Sequence, residues 1–468
     1  MIGMHAKTDK TSANTSPLRF STSMLANALR VTAFAGIMFA ATMPMVAQDW
    51  IRTTIANGAE KIRIAAAPVK PLGGDPQLKV TFDTTLQSDL AQAGIFDVVS
   101  KSMEPNATPG TPQEINLAQW GQQPTNAAMV AFGSIGVQGQ QLQVKAWLFD
   151  AKNANAAQVL GKQYTDTPTI ESARLIAHKF ADEIILRLGA GVPGIAESHV
   201  YFVHAEHGMK EIWVMDYDGE NAHPVTHLGA ISLSPRISPD GSRLAFASLD
   251  KNGWNIKMYS LLLNRMVNFS NLGGTNISPA WAPNGNELAF SSSSTGDPEI
   301  WASDGNGGAR HRLTNFRGPD IAPVWNPKSG NQIAWISGRT GLPQLYMMDA
   351  DGTNVSRLTQ GGYATSPSWS PNGQLLAYSW NRQYGPGAPG GTDIYVMEIA
   401  GGRWLQATHD MGMCDFPTWS PDDRHIMFQC SSDGKDIHSE LWTMLADGSE
   451  RHKVTSGGGN TMPNWSWH

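Results

Sequence analysis

Basic residues are scarce: 34 Lys and Arg stand against 40 Asp and Glu, for a formal charge of -6. That balance argues against a nucleic-acid surface, which would normally be basic. No stretch after residue 43 is apolar enough to cross a bilayer. No G-x-S-x-G occurs, so the nucleophile elbow of an α/β-hydrolase is missing. Cysteine is nearly absent, with only Cys414 and Cys430 in 468 residues. Their midpoint falls in the turn at Pro421-Asp422-Asp423, so they could face each other across a hairpin. A disulfide is permitted in an oxidising compartment, and two buried free thiols are the alternative.

What is abundant is repetition. Residues 365–379 read TSPSWSPNGQLLAYS, a short strand over 367–370, a turn at Pro371-Asn372-Gly373 and a second strand over 375–379. Proline presets the early turn position and Asn-Gly accepts left-handed backbone. Related copies begin at Leu233, Ile277, Ile321 and Asp415, and a truncated one, TMPNWSWH, ends the chain. The leading prolines are Pro235, Pro279, Pro323, Pro367, Pro417 and Pro463, at steps of 44, 44, 44, 50 and 46. A second motif alternates with the first: EIWVMDYDG at Glu211, NIKMYS at Asn255, EIWASDG at Glu299, QLYMMDADG at Gln344, DIYVMEIAGG at Asp393 and ELWTMLADG at Glu440.

Six units of this length with four short strands each predict an all-β six-bladed propeller. The last unit lacks its later strands, and residues 199–227 supply three unclaimed ones. The C-terminal strand, 464–467, is therefore expected to pair with them and close the ring, which leaves only short outer edges unpaired. The recurring Trp281, Trp325, Trp369, Trp419 and Trp465 on first strands, with Trp213, Trp301 and Trp442 on third strands, read as blade packing.

Upstream, Arg30 precedes the apolar run 31–43, followed by Pro44 and a small-residue exit at Val46-Ala47. This is the layout of a secretory signal peptide cleaved near Ala47, with an unusually long front that suggests a start at Met24 rather than Met1. Residues 48–193 alternate strand and helix patterns without the repeat. Strands are expected over 61–69 and 96–100, and an antiparallel meander over 127–137, 141–150 and 158–165. One helix is expected over 77–93, with Val80, Leu86 and Leu90 apolar, and one over 170–188, with Ile176, Phe180, Ile184 and Leu188 along one face and Thr169 as cap. Gly189, Gly191, Pro193 and Gly194 mark a boundary. The expected organisation is a signal peptide at 1–47, a small α/β domain at 48–193 with an extended start, and the propeller at 194–468.

The helix ARLIAHKFADEIILRL (173–188), the linker GIAESHVYFV (194–203) and repeats of the SPxWSPDGxxLAFxS and DIYVMDxDG type resemble the periplasmic TolB family along the whole mature chain. The resemblance implies a monomeric periplasmic adaptor of the Tol-Pal system, without catalytic residues, metal or cofactor, serving outer-membrane integrity and constriction at cell division. It implies that the propeller mouth receives the peptidoglycan-associated lipoprotein Pal, and that the extended N-terminus engages a TolA-like inner-membrane protein. The N-terminal segment would be Trp50, Ile51, Arg52, Ile55, Asn57 and Gly58 with the residues between them. This chain departs from many relatives in having Ala56 and Asn57 where they place an acid. At the mouth, the loops entering the innermost strands contribute Thr275, Asn276, Asp320, Ile321, Thr365, Asp415 and Thr461.

The principal rival is a metal-dependent propeller hydrolase or lactonase using Asn276, Asp320 and Asp415, although no inner strand carries a regular Glu or His. His204-Ala205-Glu206-His207 reads as a turn rather than a zinc motif. The loops starting at Asp216 and Asp349 begin like calcium loops, but His227 and Gln360 stand where a bidentate Glu belongs, so they read as plain turns. A generic scaffold with unrelated partners is the remaining reading.

Overall fold

The structure is a computed structural model that describes residues 60–384 and 390–467 of the chain. The expected signal peptide and the segment around residues 50–58 lie outside the described residues.

The first part is a six-stranded sheet with two long helices on one face. Its elements are β1 (Ile62–Ala66), β2 (Lys70–Pro71), α1 (Pro76–Gln92), β3 (Phe96–Val98), α2 (Leu117–Gly121), β4 (Met129–Gln138), β5 (Gln141–Asp150), β6 (Gln158–Asp166) and α3 (Ile170–Leu188). The main order is β3-β1-β4-β5-β6, and the short β2 pairs with β4. β1 runs parallel to both β3 and β4, which the intervening α1 crossover permits, while β4, β5 and β6 form the expected meander.

α1 starts at Pro76 because Asp75 accepts from the Gln77 N–H at 2.9 Å and Pro needs no partner at that position. Its buried stripe is Leu78, Phe82, Leu86 and Leu90, spaced by four, whereas Val80 points outward at 49% exposure. Val80 was expected among the apolar positions, but it lies off the face that meets α3. On α3, Ile176, Phe180 and Ile184 complete the same core against β1, β4 and β5. Thr169 caps α3, accepting from the Ser172 N–H at 3.1 Å.

From His199 onward the chain is strands. Four separate four-stranded antiparallel sheets begin with Asn276–Trp281, Asp320–Trp325, Tyr363–Trp369 and Met413–Trp419. The remaining eight strands form two such groups joined by one parallel pair, Ile231 with Lys210. In one of these groups the C-terminal strand Asn460–Ser466 lies antiparallel to His199–Glu206, with Asn464 opposite Tyr201 and Trp465 opposite Val200. The first strand of the 365–379 unit begins at Tyr363, earlier than the turn chemistry marked. His204-Ala205-Glu206 belongs to a strand rather than a turn, and His207 alone turns, at φ 51°.

Every first strand carries the same irregularity. The residue before its leading proline has positive φ in all six copies: Ser234, Ser278, Ala322, Ser366, Phe416 and Met462, at 49–54°. The pairing with the second strand shifts register there each time. Proline disfavours helical backbone in its predecessor, and a bulge accommodates the left-handed alternative.

Two hydrogen-bond devices repeat as well. The indole Nε1 of Trp281, Trp369 and Trp419 donates to the carbonyls of Arg236, Val324 and Ser368 in the preceding unit, at 3.1–3.2 Å. A threonine hydroxyl just after the fourth strand accepts from the third strand's backbone and donates to a side chain at or near that strand's start. Thr314, for example, accepts from Ile300 N at 2.8 Å and donates to Glu299 at 2.6 Å, and Thr226, Thr359, Thr408 and Thr455 do likewise. Cys414 and Cys430 are opposite residues of one hairpin, with Cα atoms 4.1 Å apart, and are joined by a disulfide.

Candidate functional site

The innermost strands enclose cavities stacked around one axis. The largest, about 440 Å³, lies where the chain enters these strands. Most of its wall comes from the two residues before each leading proline, with Met462 alone before Pro463, because the bulge breaks the normal alternation of faces and turns consecutive side chains to the same opening. The lining is mainly apolar, including Leu233, Trp254, Ile277, Ile321, Ile336, Phe416 and Met462.

Four of the expected mouth residues, Thr275, Ile321, Thr365 and Asp415, line this cavity together. The other three do not. Asn276 is fully buried, its amide donating to the carbonyls of Leu272 and Gly274 at 2.8 and 3.2 Å. Asp320 is fully buried and paired with Arg339 at 2.8 Å. Thr461 is 1% exposed, and its neighbour Met462 lines the cavity instead. Asn276 and Asp320 sit three positions before their prolines, one beyond the paired lining residues such as Ile277 and Ile321, where the side chain turns into the blade. The column immediately before the proline, with Phe416 and Met462 its bulkiest members, escaped sequence reasoning. Aligning the six copies on their prolines was the signal that could have found it.

Asp415 is the one acid of this wall. Burial pushes its carboxyl above the ordinary carboxylate value, opposed by hydrogen bonds that include the Phe416 N–H at 2.7 Å. The expected metal set of Asn276, Asp320 and Asp415 is not assembled, since Arg339 already holds Asp320 and backbone carbonyls hold the Asn276 amide.

Among the described residues, one group of acids and histidine has ligand atoms close enough to hold an ion: His178, Asp216 and Asp218. It lies away from the axis, where α3 meets the turn after the Met209–Asp216 strand. Arg174 is ion-paired with Asp218 and lies 3.4 Å from Asp216, so both carboxylates already have a cation. His178 Nδ1 is 2.8 Å from Asp89, which also accepts from the Tyr217 hydroxyl at 2.5 Å. Burial holds the Asp89 carboxyl above its ordinary value. For His178 burial acts downward, but Asp89 and Asp218 outweigh it and the imidazole is raised. This network ties both helices to the strand domain. Asp182 adds a further tie, accepting from the Ala196 and Glu197 N–H groups at 2.9 and 3.0 Å, and His425 Nε2 meets the Gln92 carbonyl at 2.7 Å.

The Asp216 and Asp349 loops are turns whose carboxylates are taken up internally, by Asn221 and Asn354 at 2.6 Å. No helix among the described residues is long and apolar enough to cross a membrane.

Residues 188–466 match a family described as the TolB beta propeller domain, and residues 53–157 match the TolB amino-terminal domain. The chain is 32% identical over 277 residues to the "Tol-Pal system protein TolB" of Desulfosudis oleivorans, covering 58% of this chain and 61% of that protein. It is 31% identical to the protein of the same name in Roseobacter denitrificans, over 47% of this chain and 50% of the relative. The matched stretch thus spans between half and two thirds of these relatives. A solved structure of TolB from Acinetobacter baumannii superposes with a TM-score of 0.71 at 23% identity, covering 87% of this chain and 97% of that one, which is a likeness of fold.

Proposed function

Because this chain belongs to the TolB family, we propose that it is a non-catalytic periplasmic adaptor of a Tol-Pal-type envelope complex. In this reading the eight-stranded sheet counts as two blades. That makes six blades closed by the pairing of the C-terminal strand with His199–Glu206, and places the domain boundary near residue 193. The chain is exported, cleaved near Ala47, and works as a monomer.

The observation that carries the reading is the apolar mouth. A cavity of about 440 Å³ walled by Ile277, Ile321, Phe416 and Met462, with a single acid, suits the apolar anchor of a protein partner better than polar chemistry on a small substrate. The partner there is a peptidoglycan-associated lipoprotein. The segment containing Trp50, Ile51, Arg52, Ile55, Asn57 and Gly58 engages a TolA-like inner-membrane protein by adding to a sheet edge. Linking the two supports outer-membrane integrity and constriction at division. Occupancy of the mouth shifts whether that segment is docked or free, a coupling between two sites.

Affinity purification from periplasm with the mature protein, and with residues 48–58 deleted, tests this. Recovery of the lipoprotein with both forms, and of a TolA-like protein with the intact form alone, is the expected result. Recovery of neither overturns it. Equal TolA affinity with and without the lipoprotein overturns the coupling alone.

A further inference from the structure

Below the mouth the axial space narrows to a cavity of about 50 Å³ ringed by Pro279, Pro323, Pro367, Pro417 and Pro463. Beyond that waist it widens again to about 210 Å³. This inner chamber is walled by the residue after each leading proline: Arg236, Ala280, Val324, Ser368, Thr418 and Asn464. Five of the six are uncharged and the sixth is arginine.

Arg236 borders both the waist and the chamber. Its Nη1 donates to its neighbour's carbonyl, Pro235 O, at 2.8 Å. Among the described residues no carboxylate lies within ion-pairing distance of it. The other arginines near the ring are compensated: Arg339 has Asp320, and Arg243 donates to the carbonyls of Gly285 and Gly305 and lies over the Trp281 ring. Burial, with no acid acting on it, brings the Arg236 guanidinium down to about 10, still a full charge at neutral pH. A desolvated cation without a counter-charge is costly, and a guanidinium offers a fork that fits two oxygens of a carboxylate or phosphate. The Ser368 and Thr418 positions and Asn464 bring hydrogen-bonding capacity to the same wall.

We propose that the inner chamber is an anion site in which Arg236 holds a small oxoanion or the carboxylate of an acidic side chain. The chamber suits a compact group: its far end is framed by Pro239, Pro283 and Pro327, and the proline waist separates it from the mouth. The site is independent of the adaptor reading, since it needs no partner at the mouth.

Thermal unfolding of the full chain in inorganic phosphate against chloride, at matched ionic strength and pH 7, tests the proposal. The wild-type midpoint is expected to gain about 2 °C more from phosphate than the Arg236→Gln variant does when phosphate is ten times its Kd. The variant subtracts the general stabilisation by phosphate exclusion from the surface. Arg236→Lys is expected to retain part of the gain, as a point charge without the fork. Equal gains in wild type and Arg236→Gln overturn the proposal. Should that variant not fold, calorimetric titration of the wild type stands alone, with one phosphate per chain supporting the site and no binding at about 10 mM overturning it. Competition by a tri-glutamate peptide identifies side-chain carboxylates as a source, and its failure beside phosphate binding identifies a free oxoanion.

Discussion

Asp182 offers a direct test of how the helical layer is fastened to the strand domain. Its carboxyl is largely buried in the C-terminal half of α3 and accepts from the Ala196 and Glu197 N–H groups. Burial, only partly offset by those two bonds, raises its pKa from 3.8 to about 6. A carboxyl that binds its proton more tightly when folded stabilises the fold most when protonated. Its contribution is therefore fully present below the unfolded value near 4 and is lost as pH rises through about 6. A span from 3.8 to about 6 corresponds to about 3 kcal/mol, and about 2 kcal/mol remains after allowing for the part of the group that water reaches. Asp182→Asn keeps one of the two accepting oxygens and cannot ionise, and the cost of the lost acceptor is the same at every pH. Urea unfolding at pH 4, 5, 6 and 7, followed by tryptophan fluorescence, should show wild type losing about 2 kcal/mol relative to Asp182→Asn between the lowest and highest pH. Subtracting the variant removes every other titration common to both. A difference that stays constant across the range, or that grows in favour of wild type, refutes the reasoning.

Three further outcomes are expected. Thr314→Val keeps the shape but leaves Ile300 N without its acceptor and Glu299 with the Phe316 N–H alone, costing about 1–3 kcal/mol in urea unfolding. Replacing both Cys414 and Cys430 by Ala releases a loop of 16-residue separation and lowers stability by up to about 3 kcal/mol, read from the same midpoints under oxidising conditions. Phe416→Asn puts a residue tolerant of left-handed backbone at φ 52°, so the unfolding midpoint should hold while affinity for a lipoprotein at the mouth falls about tenfold or more.

Much of the architecture was legible because its causes are local. Proline followed by Asn-Gly or Asp-Gly writes a turn in three of the units, at Pro239, Pro283 and Pro371, and the six leading prolines, recurring at steps of 44 to 50 residues, mark a series of like units. The α3 limits follow from Thr169 at one end, Gly189 at the other and a four-residue apolar spacing between them. The α1 stripe was read less well. Leu78 and Phe82 belong to it and Val80 does not, because which apolar residues face inward depends on where α3 lies.

The candidate site divides along the same line. Sequence alone determined that the first strands converge, and that Thr275, Ile321, Thr365 and Asp415 stand near their entry. Only the tertiary structure decided that the residue before each proline shares the wall, since a left-handed bulge is carried here by Ser, Ala, Phe and Met, none of which announces it. Asp89, His178 and Tyr217 are 89 and 39 residues apart in the chain, yet form one buried hydrogen-bonded group. The same holds for Arg236. Its charge is plain in the sequence, but its isolation is a property of the neighbours that folding brings around it. Local rules reach a few residues along the backbone, and partnership between side chains is settled only when distant strands close around one another.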